Sequence, residues 1–464
     1  MAAIRSFLLS SSVLVAVVGC GPIGGVEPGD PGSGRVSSSL PDPGVTGEDM
    51  EMDIPDPVTV VTGEASAENG GGACAVPTSM PGAAALTANE PLPDPFLSVD
   101  GTRITQKDQW TCRRAEISAQ VQEYELGPKP ARPSILSGAF ANDVLSITTG
   151  EEDKTIDFTV NITRPAGAAA GPIPALIAIG GSSLDATVFA ERGIATINFN
   201  NGEMGAQGNM QGMPSTRGQG KFYELYGATH GAGSMMAWAW GVSRIIDALE
   251  STPDANIDTK HLAVTGCSRN GKGALVVGAF DERITLTIPQ ESGAGGSAAW
   301  RISRMQNDAA LAANPAATPN DGRVQLLVDA QGEQPWFRES FSQFNNAENR
   351  LPYDHHMVLG LVAPRALFVI DNSTQIWLGS ISSYTDSVAA GEIWKSLGLT
   401  GRMGASQVGD HNHCDFPAAQ RAELAAFVDK FLLDDSAANT EVMRSDRVQP
   451  DLARWQPWST PTLQ

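Results

Sequence analysis

Between about residues 74 and 435 of this 464-residue chain, short apolar runs of strand length alternate with longer segments of helical period. Residues 156–163 alternate apolar and polar side chains, as a half-buried strand requires. Residues 175–179, 194–199, 261–265, 284–289, 366–370 and 405–408 read as buried strands. Helical spacing covers 234–249 (with Trp238 and Trp240), 271–280, 323–330, 383–397 and 418–433. A strand apolar on both faces must be covered on both faces. Strand–helix–strand succession supplies that cover by placing helices above and below parallel strands. The chain is expected to be α/β, a three-layer αβα sandwich around a mostly parallel central sheet.

The ends of the chain behave differently. Residues 1–20 have a basic start at Arg5 and an apolar stretch too short to span a bilayer, the pattern of an export signal. It closes on Val17-Val18-Gly19-Cys20, which resembles a bacterial lipobox and predicts lipidation of Cys20, with Val17 where leucine is more usual. Residues 21–72 are rich in Gly, Pro, Ser and acidic residues and read as a disordered tether. The catalytic domain is expected over 73–435, and 436–464 as a polar tail from which Trp455 and Trp458 can pack back. The expected location is outside the cytoplasm, as a cell-surface lipoprotein or a secreted protein, with membrane contact only through the anchor. Acidic residues outnumber basic ones by 52 to 31, a net charge of -21. That excludes the basic footprint of a nucleic-acid binder. A monomer is expected.

One junction carries chemistry. The strand at 261–265 runs into Gly266-Cys267-Ser268-Arg269-Asn270-Gly271-Lys272, and a helix follows. A sharp strand-to-helix turn of this kind lifts a serine hydroxyl above the sheet and aims helix N-terminal N–H groups at a developing oxyanion; it is the nucleophile elbow of the α/β-hydrolase fold. The usual spacing is G-x-S-x-G, whereas here the second glycine stands one place later. In that fold the order is serine, acid, histidine, and His413 lies late in the chain, in a Gly-containing loop before the last helix.

The heptapeptide resembles the G-C-S-R-x-G-K signature of glucuronoyl esterases, carbohydrate esterase family 15. Ile288-Pro289-Gln290-Glu291-Ser292-Gly293, Pro335-Trp336-Phe337, Asp354-His355-His356, Trp377-Leu378 and His411-Asn412-His413-Cys414 follow in the same order, so the resemblance spans roughly 74–433. It implies Ser268 as nucleophile, His413 as base rather than His411, and Glu291 as acid, with Asp371 in reserve after the penultimate strand. It implies Arg269 at the oxyanion, and Lys272, Gln325, Glu333 and Trp377 as the uronate-binding set. Gly180-Gly181-Ser182 is a positional candidate for the other side of the oxyanion hole. His230, His261, His355 and His356 are read as structural. No metal and no cofactor are expected.

Cys267 directly precedes the serine and Cys414 directly follows the histidine. A disulfide needs Cα atoms about 4.4–6.8 Å apart, so a Cys267–Cys414 bridge would hold Ser268 and His413 together. Cys74 then pairs with Cys112, and lipidation of Cys20 accounts for the odd cysteine. The third disulfide of the fungal relatives falls on Ala299 and Ser387 and is absent. The resemblance implies hydrolysis of esters between 4-O-methyl-glucuronic acid of glucuronoxylan and lignin alcohols. A general carboxylesterase or acetyl-xylan esterase with the same triad, and a noncatalytic polysaccharide-binding lipoprotein, are the alternatives.

Overall fold

The computed structural model describes residues 74, 76–77, 79–208, 214–332 and 335–464. The chain divides at Asp56/Pro57 into two units, and every described residue belongs to the second. The expected leader (1–20), its Cys20 and the expected tether (21–72) lie outside the described residues.

Ten strands form one sheet among the described residues: β1 (Ile135–Ala141), β2 (Val144–Glu151), β3 (Lys154–Thr163), β4 (Ile173–Ile179), β5 (Ala195–Phe199), β6 (Ile257–Cys267), β7 (Ile284–Gln290), β8 (Ala366–Asp371), β9 (Met403–Gln407) and β10 (Met443–Ser445). Their order is β1-β2-β3-β5-β4-β6-β7-β8-β9-β10. Pairing is antiparallel from β1 through β3 to β5 and parallel from β5 to β10. The period-two geometry of strands sorts their side chains cleanly. Leu262 and Val264 of β6 and Leu367 and Val369 of β8 join one core with Trp238 and Trp240 of the helix Ser234–Ser251. Ala263, Ala366, Phe368 and Ile370 join the opposite core with Leu424, Phe427 and Val428 of the helix Arg421–Leu432. Each large apolar side chain so buried contributes about 1.5–3 kcal/mol. The sheet is therefore covered on both faces, as an α/β-hydrolase requires.

The chain runs from β4 to β5 on one side of β4, then to β6 on the other. That reversal opens a crevice beyond the carboxyl ends of β4 and β6, where open α/β sheets place their ligands. Gly180 follows β4 and Ser268 follows β6, so both border it.

Four features differ from the sequence reading. The β1–β2 hairpin was not anticipated; it turns on Asn142-Asp143, both with positive φ (51° and 60°), a two-residue turn matched to strand twist. Gly138 interrupts the apolar pattern of β1 because a Cβ there would lie 2.4 Å from Thr252 Oγ1, at the end of the helix packed on this strand. Residues 307–322, which read in the sequence as an inserted loop beside the cleft, begin inside the helix Trp300–Ala313. The helix expected at 323–330 is shorter and later, Leu327–Gly332. Nor does the fold stop at Asp435. β10 pairs with β9, Trp455 is buried, Trp458 Nε1 donates to Leu92 O at 3.1 Å and Gln464 N donates to Thr105 O at 3.1 Å. Trp455 and Trp458 do pack back as the sequence allows, whereas the polar residues around β10 carry no periodicity that marks it as a strand. Among the described residues no helix is long and apolar enough to cross a membrane.

Candidate active site

Ser268 occupies the junction between β6 and the helix Arg269–Phe280 with φ 60° and ψ -127°. Side chains rarely adopt that region, at a cost of about 1–3 kcal/mol. Two hydrogen bonds impose it: Ser268 N donates to Gln290 O at 3.0 Å, and Ser268 O accepts from Lys272 N at 3.1 Å. The flanking glycines are sterically required. A Cβ on Gly266 would lie 2.4 Å from Asn270 O, and one on Gly271 would lie 2.5 Å from Gln290 O.

The displaced second glycine has a physical account. Asn270 stands where an elbow usually has glycine, and the space for its side chain is made across the crevice by Gly180. A Cβ on Gly180, whose φ is +62°, would lie 2.3 Å from Asn270 Nδ2. Asn270 Oδ1 accepts from Asn201 Nδ2 at 3.0 Å. One side-chain amide thus spans the nucleophile helix, the turn after β4 and the turn after β5. The shifted second glycine is the sequence signal that this position carries a working side chain.

Glu291 follows β7 directly. It is 1% exposed, with φ 43°, and its N donates to Ile370 O at 2.8 Å. Its Oε2 lies 2.8 Å from His413 Nδ1. A carboxylate only accepts, so Nδ1 carries the proton and Nε2 presents a lone pair. The Cys267–Cys414 disulfide, with Cα atoms 5.9 Å apart, joins the residue before Ser268 to the residue after His413. Cys414 has φ 66°. His411 flanks the pair, its Nδ1 3.8 Å from the other Glu291 oxygen, Oε1, but it is engaged elsewhere: its Nε2 donates to Val408 O at 2.9 Å, and its own carbonyl accepts from Asn372 Nδ2 at 3.0 Å. Asp371 is also buried, but its Oδ1 accepts from Asn372 N at 2.8 Å, and burial pushes its carboxyl up to about 6, with Glu291 adding to the rise. The carboxylate that meets His413 is Glu291.

On the other side, Lys272 is 2% exposed and donates through Nζ to Ser292 O in the loop after Glu291. Gln325 is buried, and its N donates to Trp377 O at 2.8 Å, so two of the expected uronate contacts are tied through backbone. Arg269 lies over the ring of Trp336, its Cζ 5.9 Å from the centroid. Glu333 lies outside the described residues. The second predicted disulfide, Cys74–Cys112, is present.

The remaining histidines are held in the fold. His355 bonds Gly296 O at 2.6 Å and Glu125 Oε1 at 3.1 Å, bracing the loop after Glu291. His356 bonds Pro93 O at 2.8 Å, and burial lowers its pKa to about 4. His261 pairs with Asp258. Among the described residues, Cys267, His413 and Cys414 cluster their ligand-type atoms, but both sulfurs belong to the disulfide and offer no thiolate.

Residues 147–398 match the family model "Glucuronyl esterase, fungi". The 4-O-methyl-glucuronoyl methylesterase of Hypocrea jecorina is 48% identical over 394 residues, covering 85% of this chain and 80% of that protein. The chain belongs to the glucuronoyl esterase family. The solved catalytic domain of the Hypocrea jecorina glucuronoyl esterase superposes with a TM-score of 0.76 at 48% identity, covering 84% of this chain and all (100%) of that one. A serine-to-alanine mutant of the Sporotrichum thermophile glucuronoyl esterase, solved with methyl 4-O-methyl-β-D-glucopyranuronate, gives 0.77 at 42% identity, covering 85% and 100%. Membership in this family fits the α/β-hydrolase architecture and the crevice at the β4–β6 reversal.

Proposed function

We propose that this glucuronoyl esterase hydrolyses esters of 4-O-methyl-glucuronic acid, those joining glucuronoxylan to lignin alcohols, through a serine acyl-enzyme. The observation that carries the reading is the 2.8 Å Glu291–His413 contact, tied by the disulfide to a serine held in the elbow conformation. His413 Nε2 takes the Ser268 proton as Oγ attacks the ester carbonyl. Backbone N–H groups at the start of the helix and the Arg269 guanidinium face the charge that develops on the carbonyl oxygen. The tetrahedral intermediate collapses, His413 returns the proton to the leaving alcohol, and water repeats the sequence on the glucuronoyl-enzyme to release the uronic acid. Buried Glu291 fixes the imidazole tautomer and stabilises the imidazolium. Lys272, Gln325, Glu333 and Trp377 hold the sugar acid, the lysine supplying charge and the indole an apolar face. No step calls for a metal or cofactor.

Two disulfides suit export into an oxidising compartment. A lipid anchor on Cys20 and a monomeric state complete the proposal. The substrate class is tested by comparing methyl glucuronate with p-nitrophenyl acetate. kcat/KM should favour the uronate ester by well over about a hundredfold, because a site built to hydrogen-bond substrate hydroxyls rejects analogues lacking them by roughly 10⁴–10⁵-fold. Equal or reversed preference would support a general carboxylesterase instead.

A further inference from the structure

Arg269 and Lys272 stand three residues apart on one helix, so they are neighbours on its surface. Both are cations, and Lys272 is almost fully buried. Like charges at that spacing repel, more strongly where water is excluded. One group faces both. The indole of Trp336 lies 5.9 Å from Arg269 Cζ and 5.6 Å from Lys272 Nζ, measured to the ring centroid.

Trp336 is itself 2% exposed and set on a rigid support. The helix Ser234–Ser251 has no side-chain N-cap. Its first N–H groups are satisfied instead by this segment: Ser234 N donates to Pro335 O at 3.0 Å and Met235 N to Trp336 O at 3.2 Å. Gly233 lets the two backbones meet, since a Cβ there would lie 2.3 Å from Trp336 O. The next residue, Phe337, packs edge-on against Trp300, their centroids 5.9 Å apart. The backbone that carries the ring is therefore held on both sides. The ring's Nε1 has no hydrogen-bond partner among the described residues, so what the indole offers its neighbours is its π system.

We propose that Trp336 is a positioning residue that holds the oxyanion-facing Arg269 and the uronate-facing Lys272 on one π surface. The proposal rests on the roles assigned to those two residues above. Cation–π attraction is strongest over tryptophan and grows where water is excluded. Holding Arg269 acts on kcat, and holding Lys272 acts on KM.

The test compares Trp336→Phe, which keeps a ring, with Trp336→Leu, which keeps apolar bulk without one, on benzyl glucuronate. The expected result is a loss of roughly tenfold or more in kcat/KM for Trp336→Leu, seen in both kcat and KM, with most of it recovered in Trp336→Phe. Should Trp336→Leu fail to fold, the chain is labelled with fluorinated tryptophan, which drains the π face without changing the shape of the ring. Activity should then fall further in the parent than in Trp336→Phe, which keeps only the effect of fluorinated Trp377 and the other tryptophans. Equal kinetics for the Phe and Leu variants, or a fluorination effect as large in Trp336→Phe as in the parent, would overturn the proposal. An inactive parent would instead condemn the glucuronoyl esterase reading on which the proposal rests.

Discussion

The Cys267–Cys414 bridge closes a sequence separation of 147 residues, and Cys74–Cys112 one of 38. On the chain-entropy relation these cross-links stabilise the fold by about 5 and about 4 kcal/mol respectively. Stability alone hardly separates them; function should. Cys414 has φ +66°, a conformation that costs a non-glycine residue about 1–2 kcal/mol and that the bridge maintains. His413, next to it, has a side chain 37% exposed, and its ring is fixed on one side by Glu291. Replacing both cysteines with serine in C267S/C414S frees the loop to relax and moves His413 relative to Ser268. A displacement of about 1 Å costs on the order of a hundredfold in rate. The variant should therefore lose about a hundredfold in kcat under conditions where circular dichroism reports it folded, with KM little changed because Lys272 is held by Ser292 O and Gln325 by Trp377 O. C74S/C112S should lose comparable denaturation free energy and keep its kcat. If C267S/C414S keeps parental kcat while losing only stability, the bridge is a staple and the positioning argument is wrong.

Three further outcomes follow from the geometry. Glu291→Gln should lower kcat by roughly 10²–10⁴-fold, while Asp371→Asn should leave it within a fewfold. The Asp371 carboxyl, raised from 3.8 to about 6 in the folded state, favours folding fully only below its unfolded pKa. About 3 kcal/mol is lost as pH rises through about 6. Asp371→Asn should thus gain stability over the parent at pH 8 and little at pH 4, as measured by urea denaturation; a gain independent of pH would contradict the assignment. Gly180→Ala should lower kcat by driving its methyl into the Asn270 amide, 2.3 Å away. Adding Asn270→Ala should relieve part of that loss in the double variant, whereas purely additive losses would show that the Gly180–Asn270 complementarity is not what shifts the glycine.

Much of the architecture was legible because buried parallel strands leave uninterrupted apolar runs. β4, β6, β7 and β8 each match a run in the sequence to within a few residues at either end. The hairpin and the C-terminal segment were less legible because their information is not periodic. Asn142-Asp143 encodes a turn through two residues, and Trp455 is a solitary anchor. At the site, the elbow motif and the family resemblance point to Ser268, His413, Glu291 and Lys272. Distances were needed to see that Glu291 rather than Asp371 meets the imidazole, and that His411 is engaged by Val408 and Asn372. Asn270 and Trp336 act through neighbours remote in sequence, Gly180 and Asn201 for the first, Arg269 and Lys272 for the second. No local pattern announces such pairings.

In the proposed mechanism Ser268 attacks a glucuronate ester. The most direct test of that step is release of acid from benzyl glucuronate by the parent and by Ser268→Ala, each verified as folded. The account predicts steady turnover by the parent and no release above background by the variant. Release by both would place the chemistry elsewhere, and release by neither would contradict the substrate.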